Sequence, residues 1–210
     1  MIIACIGQKG GPGKSTVIIN LGIEALRRRQ RVKILDGDPQ ATVRTWAAVA
    51  EEAGRPAPVV EVMPPDVHRQ AEDVHRGADL VLIDCPGRID PITRAALLVA
   101  DLALIPCGPS AADAWALAST IELLRAARQV EPDLKAAILI NRKKGRTALG
   151  EGAREALAQG GLPILRTELG DRIAYQEALA AGMGVTTYAP GSRAAAEIVQ
   201  LLDELRRKYR

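Results

Sequence analysis

Aromatic residues are nearly missing from this sequence: two Trp, three Tyr and no Phe in 210 positions. A surface that stacks successive nucleic-acid bases on aromatic rings is therefore not expected. Cysteine is equally scarce. Cys5, Cys85 and Cys107 each lie at the end of an apolar run, and none of the paired spacings of a metal site is present. Buried, reduced thiols are the expectation, which suits a cytoplasmic location. No apolar run approaches the roughly 18 residues of a membrane span. The apolar start MIIACI is followed by no basic leader or cleavage site. Internal repeats and low-complexity segments are lacking as well. A strong charge imbalance is also lacking, the net charge being +3. What excess there is sits unevenly: residues 1–124 carry 13 Lys/Arg against 15 Asp/Glu, and residues 125–210 carry 15 against 10. A basic second part suits a polyanionic partner and equally a solvated basic face.

What the chain does have is alternation. MIIACI (1–6), VKILD (32–36), PVVEV (58–62), DLVLID (79–84), DLALIP (101–106) and AAILIN (136–141) read as strands. Most are continuously apolar, the pattern of strands buried on both faces. Longer helical stretches separate them. In 111–128, Ala114, Leu117, Ala118, Ile121 and Leu124 recur at helical spacing. A last helix over about 192–209 carries Ile198, Leu201, Leu202 and Leu205 on one side and ends in RRKYR, which suits the negative end of its dipole. This order predicts an α/β fold: a mostly parallel, twisted sheet with helices on both faces, in a single domain over residues 1–210. AGRPAP (53–58) and MPPD (63–66) read as loops within it rather than as a domain boundary. His68 and His75 are expected on a solvated helix face, and Trp46 and Trp115 in the core or an interface.

The stretch CIGQKGGPGKSTVIINLG (5–22) places a glycine-rich loop between the first strand and a helix. That is the setting of a phosphate-binding loop. Glycines let backbone N–H groups turn inward around phosphate oxygens, and the helix N-terminus adds a favourable dipole. Lys14 is placed to reach the β and γ phosphates, and the Ser15 hydroxyl to ligate Mg²⁺. Two acidic strand ends accompany the loop: Asp36 and Asp38 in VKILDGDPQ, and Asp84 in DLVLIDCPG. Ligands of open parallel sheets collect at such carboxyl ends. One carboxylate there can hold a dication through water, and another can orient the attacking water of a phosphoryl transfer.

KGGPGKST, LDGDPQ and LVLIDCPG together resemble the deviant phosphate loop and the two acidic motifs of the ParA/MinD-type ATPases, P-loop NTPases. INRKKGR and YAPGSRAAAE resemble the family's nucleotide-base and DNA-contact segments more loosely. The similarity runs over nearly the whole chain and is greatest to the small plasmid-partition members. It implies an ATPase that uses Mg²⁺. In the family the signature lysine, here Lys9, crosses a nucleotide-sandwich homodimer to the partner's phosphates. Gly10 would allow that close approach. Gly11, Pro12 and Gly13 would complete the loop around Lys14, Ser15 and Thr16. Asp38 would position the hydrolytic water beside Lys9 and Lys14, with Ser15, Asp36 and Asp84 near the metal. Asn141 and Pro190 would face the adenine. Arg193, and more loosely Arg172, would bind DNA nonspecifically, and the run from Arg142 to Arg146 could add phosphate contacts. The implied partners are a ParB-like or small centromere-binding protein and DNA, with the ATP-bound form on the nucleoid and no stable membrane insertion.

The resemblance has departures. Gly37 stands where a bulkier residue is common, and Cys85 where Thr is common. Other readings remain on the same fold. A Min-type membrane-associated ATPase needs an insertable terminal helix. An iron protein needs cysteines poised to hold a cluster. A small-molecule ligase or kinase needs a substrate pocket, and a protein-cluster positioning ATPase needs a different cargo.

Overall fold

The computed structural model describes residues 1–7, 11, 13–70, 74–88, 90–144 and 154–209. Gln8, Lys9, Gly10, Pro12 and Arg146 lie outside them. Six strands form one sheet: β1 (Ile2–Cys5), β2 (Val32–Asp36), β3 (Val59–Val62), β4 (Leu80–Asp84), β5 (Leu102–Cys107) and β6 (Lys135–Ile140). Their order is β3-β2-β4-β1-β5-β6. Every pairing is parallel. All six expected strands are present within a residue or two of the sequence reading.

The strands are connected by helices α1 (Lys14–Arg27), α2 (Thr42–Glu52), α3 (Pro91–Leu97), α4 (Ala111–Ala127), α5 (Ile173–Ala180), α6 (Val185–Tyr188) and α7 (Arg193–Tyr209). A short helical stretch also covers residues 154–158. The two-residue period of the strands splits the core into two layers. Ile3 and Cys5 point to the side covered by α1, α2 and α5–α7, with Val17, Ile18, Leu21, Tyr175 and Val185 packed there. Ile2, Ala4 and Ile6 point to the other side, covered by α3, α4 and the 154–158 stretch. β1, β4 and β5 are buried throughout, as strands covered on both faces must be.

The structure differs from the sequence reading in three places. First, β3 is an edge strand, and Val59 and Val62 are exposed. Second, the buried side of α4 is Leu117, Thr120, Leu123, Leu124 and Ala127. It is rotated from the expected stripe, so that Ala118 is exposed and Ile121 only partly buried. Third, LPILRTELG (162–170), not read as a strand, runs beside β6 through parallel bridges at Ile138–Ile164 and Lys143–Gly170. Buried Glu204 holds this segment to α7 by accepting the backbone N–H groups of Arg166 and Thr167 at 2.9 and 2.8 Å. The terminal helix behaves as expected, with Ile198, Leu201, Leu202 and Leu205 fully buried.

Candidate ATP-hydrolysis site

Gly13 caps α1 in the left-handed region at φ +87°, and Gly11 has φ +104°. A side chain would be strained at either position. At Gly13 a Cβ would also fall 2.6 Å from Nδ2 of Asn141. Val17 N–H already bonds to the Gly13 carbonyl at 2.9 Å, so helical pairing starts at the glycine itself. Among the described residues no side chain caps this helix end. Its first N–H groups are therefore directed at the loop, the arrangement that favours an anion. The helix behind the loop is fixed by buried Asn20. Its Nδ2 donates to Thr16 O at 2.7 Å, and its Oδ1 accepts from Val185 N at 2.6 Å, tying α1 to α6.

Because β1 lies between β4 and β5, the end of β1 at Cys5 pairs directly with the end of β4 at Asp84. Ser15 Oγ donates to Asp84 Oδ2 at 2.6 Å. Asp84 is fully buried, and its Oδ1 has no hydrogen-bond partner among the described residues. Burial pushes its carboxyl up to about 7. The Ser15 hydrogen bond opposes this, the nearby Asp36 charge adds to it, and Lys14 opposes it. Lys14 is 6% exposed. An unpartnered carboxylate oxygen next to a serine hydroxyl fits a hard, oxygen-preferring dication such as Mg²⁺. Among the described residues no group of three or more His, Cys, Asp or Glu could hold a metal. A dication here would therefore complete its coordination with phosphate oxygens and water.

The two aspartates after β2 differ in their surroundings. Asp36 is 1% exposed, and both its oxygens are engaged. Oδ1 accepts the Asp38 N–H at 3.0 Å. Oδ2 accepts Arg44 N–H at 3.3 Å and Arg44 Nε at 3.1 Å. Ala41, the N-cap of α2, offers no side-chain cap, so Asp36 serves as a remote one. Asp38 is half-buried and begins a turn, its Oδ1 accepting Gln40 N–H at 2.9 Å. Asp36 thus lies beneath Asp38 with both oxygens engaged, while Asp84 keeps one oxygen without a partner among the described residues. Glycine at position 37 also has a reason. A Cβ there would lie 2.8 Å from Ile92 Cγ2 and 3.2 Å from Asp84 O.

Lys14, Ser15, Asp36, Asp38, Asp84 and Asn141 therefore converge on the carboxyl edge of the sheet. Asn141 is tied there through its N–H to Cys107 O at 2.8 Å. Pro190 is exposed in the turn before α7, and exposed Arg193 is that helix's first residue. Arg172 is not free: its Nε donates to Glu197 Oε1 at 3.0 Å, and Glu197 also accepts from Gly170 N and Tyr175 Oη. All three cysteines are buried. Burial pushes the Cys5 and Cys85 thiols up, which leaves them inert rather than poised as ligands.

Sequence reasoning missed Arg44 and Asn20. A polar residue inside the apolar run VIINLG was a signal for Asn20, but nothing in the sequence pairs Arg44 with Asp36. Arg44 is 41% exposed, so its pair with Asp36 contributes about 1 kcal/mol or less. We expect Arg44→Ala to lower ATP turnover about fivefold at most, with KM for ATP unchanged and partial rescue by Arg44→Lys. A change confined to KM would show that Arg44 acts on nucleotide binding instead.

A parallel sheet, a glycine loop opening a helix, and a serine–aspartate pair at the adjoining strand end define a P-loop nucleotide hydrolase. The chain belongs to the CobQ/CobB/MinD/ParA nucleotide-binding family, whose model matches residues 3–185. It is an ATPase of the ParA/MinD type. The "Maintenance of carboxysome distribution protein A" of Halothiobacillus neapolitanus is 34% identical over 206 residues, covering 97% of this chain and 95% of the relative. Among solved structures, the ATP complex of McdA from Cyanothece superposes with TM-score 0.80 at 16% identity, covering 98% of this chain and 96% of that one. The Mg-ADP complex of MinD from Pyrococcus horikoshii superposes with TM-score 0.78 at 20% identity, covering 97% and 95%. These two share the fold.

Proposed function

We propose that this chain is a positioning ATPase whose Mg-ATP form pairs two copies into a dimer that holds DNA without sequence preference. Hydrolysis, stimulated by a partner protein, returns it to the free form. The observation that carries the reading is the Ser15–Asp84 contact of 2.6 Å beside Lys14, with Asp38 on the adjoining turn. It supplies phosphate binding, metal binding and water positioning at one sheet edge. Mg²⁺, held by Ser15 with Asp84, would neutralise charge developing on the transferred phosphate. The residues of the chain do the rest. Lys14 and the α1 N-terminus bind phosphate, Asp38 orients the water, and Asp36 with Arg44 fixes Asp38. Asn141 and Pro190 are assigned to the adenine. Lys9 is assigned to the phosphates held by the other copy.

DNA contact is assigned to Arg193, exposed at the start of α7, with Arg142 and Lys144 as further exposed cations. Arg172 is a secondary contact, because its guanidinium already serves Glu197. A membrane-docked form is disfavoured by the buried leucine face of α7. Among the described residues, no helix is long and apolar enough to cross a membrane. The cargo admits a second reading. The extended similarity to a carboxysome-distribution protein favours a protein assembly over a plasmid or chromosome, with the DNA serving as the track.

The test is retention on random-sequence DNA with ATP, with ADP and without nucleotide. Binding is expected with ATP alone. Arg193→Ala should weaken it at unchanged ATP affinity and reduce the salt slope by about 1 for each DNA phosphate that Arg193 neutralises. An unchanged affinity and slope would remove Arg193 from the interface. ATP-independent binding would contradict the proposed cycle.

A further inference from the structure

Trp115 is 77% exposed on the second turn of α4, in a chain with only one other Trp. The sequence reading placed it in the core or an interface, and the core is excluded. The start of α4 is rigidly attached to the end of β5. Ser110 and Asp113 form a capping box, and Cys107 Sγ donates to Asp113 O at 3.5 Å. β5 pairs directly with β1. Asn141 bridges β5 and the phosphate loop, its N–H bonded to Cys107 O and its side chain packed beside Gly13. The base of Trp115 is thus anchored on the same carboxyl edge as Lys14, Asp38 and Asp84. At 1.5 Å per residue, it lies only about 7 Å along the helix from the helix start. Below it, Ala114, Ala118 and Ile121 line a groove of about 520 Å³ between α4 and residues 156–160, to which Glu122, Arg125 and Gln159 add polar groups.

We infer that Trp115 is an anchor of the ATP-dependent dimer and becomes buried against a second copy of this chain when nucleotide closes it. The inference rests on the proposed ATP dimer. A dimer that carries Lys9 to the other copy's phosphates must close over the carboxyl edge, and Trp115 is continuous with that edge. A largely exposed indole presents a large apolar area with little conformational freedom to lose, the profile of an interface hot spot. A rigidly held helix presents it without reorganisation.

The two tryptophans make the test direct. Trp46 is 3% exposed, with its Nε1 donating to Met183 O at 3.2 Å, and it serves as an internal unquenched reference. Iodide quenching of the full chain carrying Asp38→Ala is compared with ADP and with ATP, alongside sedimentation of the same samples. With ADP, the Trp115 component should be quenched. With ATP, the protein should sediment as a dimer and that component should be protected. Trp115→Ala in the same background should weaken the ATP dimer about 30-fold or more at unchanged ATP affinity. A dimer in which Trp115 stays fully quenchable, or one unaffected by Trp115→Ala, overturns this inference and leaves the dimer standing. The absence of any ATP-dependent dimer overturns the underlying reading, and the inference with it.

Discussion

Asp38→Ala is expected to bind ATP with near-normal affinity and to hydrolyse it about 100-fold or more slowly, the usual scale for losing a group that handles the attacking water. The geometry separates the two functions. In the proposed reading, phosphate binding falls to the glycine loop, Lys14 and the start of α1, whose N-cap is Gly13. Asp38 is held from below by Asp36 and from the side by its own turn with Gln40, so its position is set before nucleotide arrives. Alanine removes the carboxylate while leaving the Ala41 N–H to Asp38 O turn available at 2.9 Å. The measurement is phosphate release at saturating ATP, paired with a direct nucleotide-binding titration. Wild-type turnover would move the water-positioning role to another residue, and a matched loss of ATP affinity would place Asp38 in binding.

Lys9→Ala is expected to retain one-subunit nucleotide binding and to lose the ATP-dependent dimer. Lys14 opens α1, and the proposed reading gives its amine to the nucleotide of its own subunit. A second lysine five residues earlier is not required there, but a charge reaching the phosphates across the interface is. Truncating one partner of a buried charge pair costs about 2–5 kcal/mol, a weakening of about 30-fold or more in dimer affinity. The effect should be absent with ADP. A normal ATP dimer in Lys9→Ala would show that both lysines serve one nucleotide.

Much of this architecture was legible in the sequence because parallel strands buried on both faces are continuously apolar. The motifs fall at the strand ends, so the sheet edge where the candidate residues gather followed once the strands were placed. Legibility failed where the answer depends on partners distant in sequence or on weak contrast. α4 is rich in alanine on all sides, so its apolar stripe did not single out the buried face, and Trp115 could not be placed. PVVEV read like the other strands, although Glu61 and the flanking Pro56, Pro58, Pro64 and Pro65 are the marks of an edge. The pairing of Arg172 with Glu197, 25 residues away, engages a candidate DNA contact in an ion pair that the sequence does not show. Likewise, nothing in the sequence shows that α2 brings Arg44 to Asp36.

The central claim is that nucleotide state sets the number of subunits. Sedimentation of the Asp38→Ala protein with ATP, with ADP and without nucleotide, all with Mg²⁺, tests it most directly. A dimer with ATP and a monomer in the other two conditions is the predicted result. The same mass in all three would contradict it.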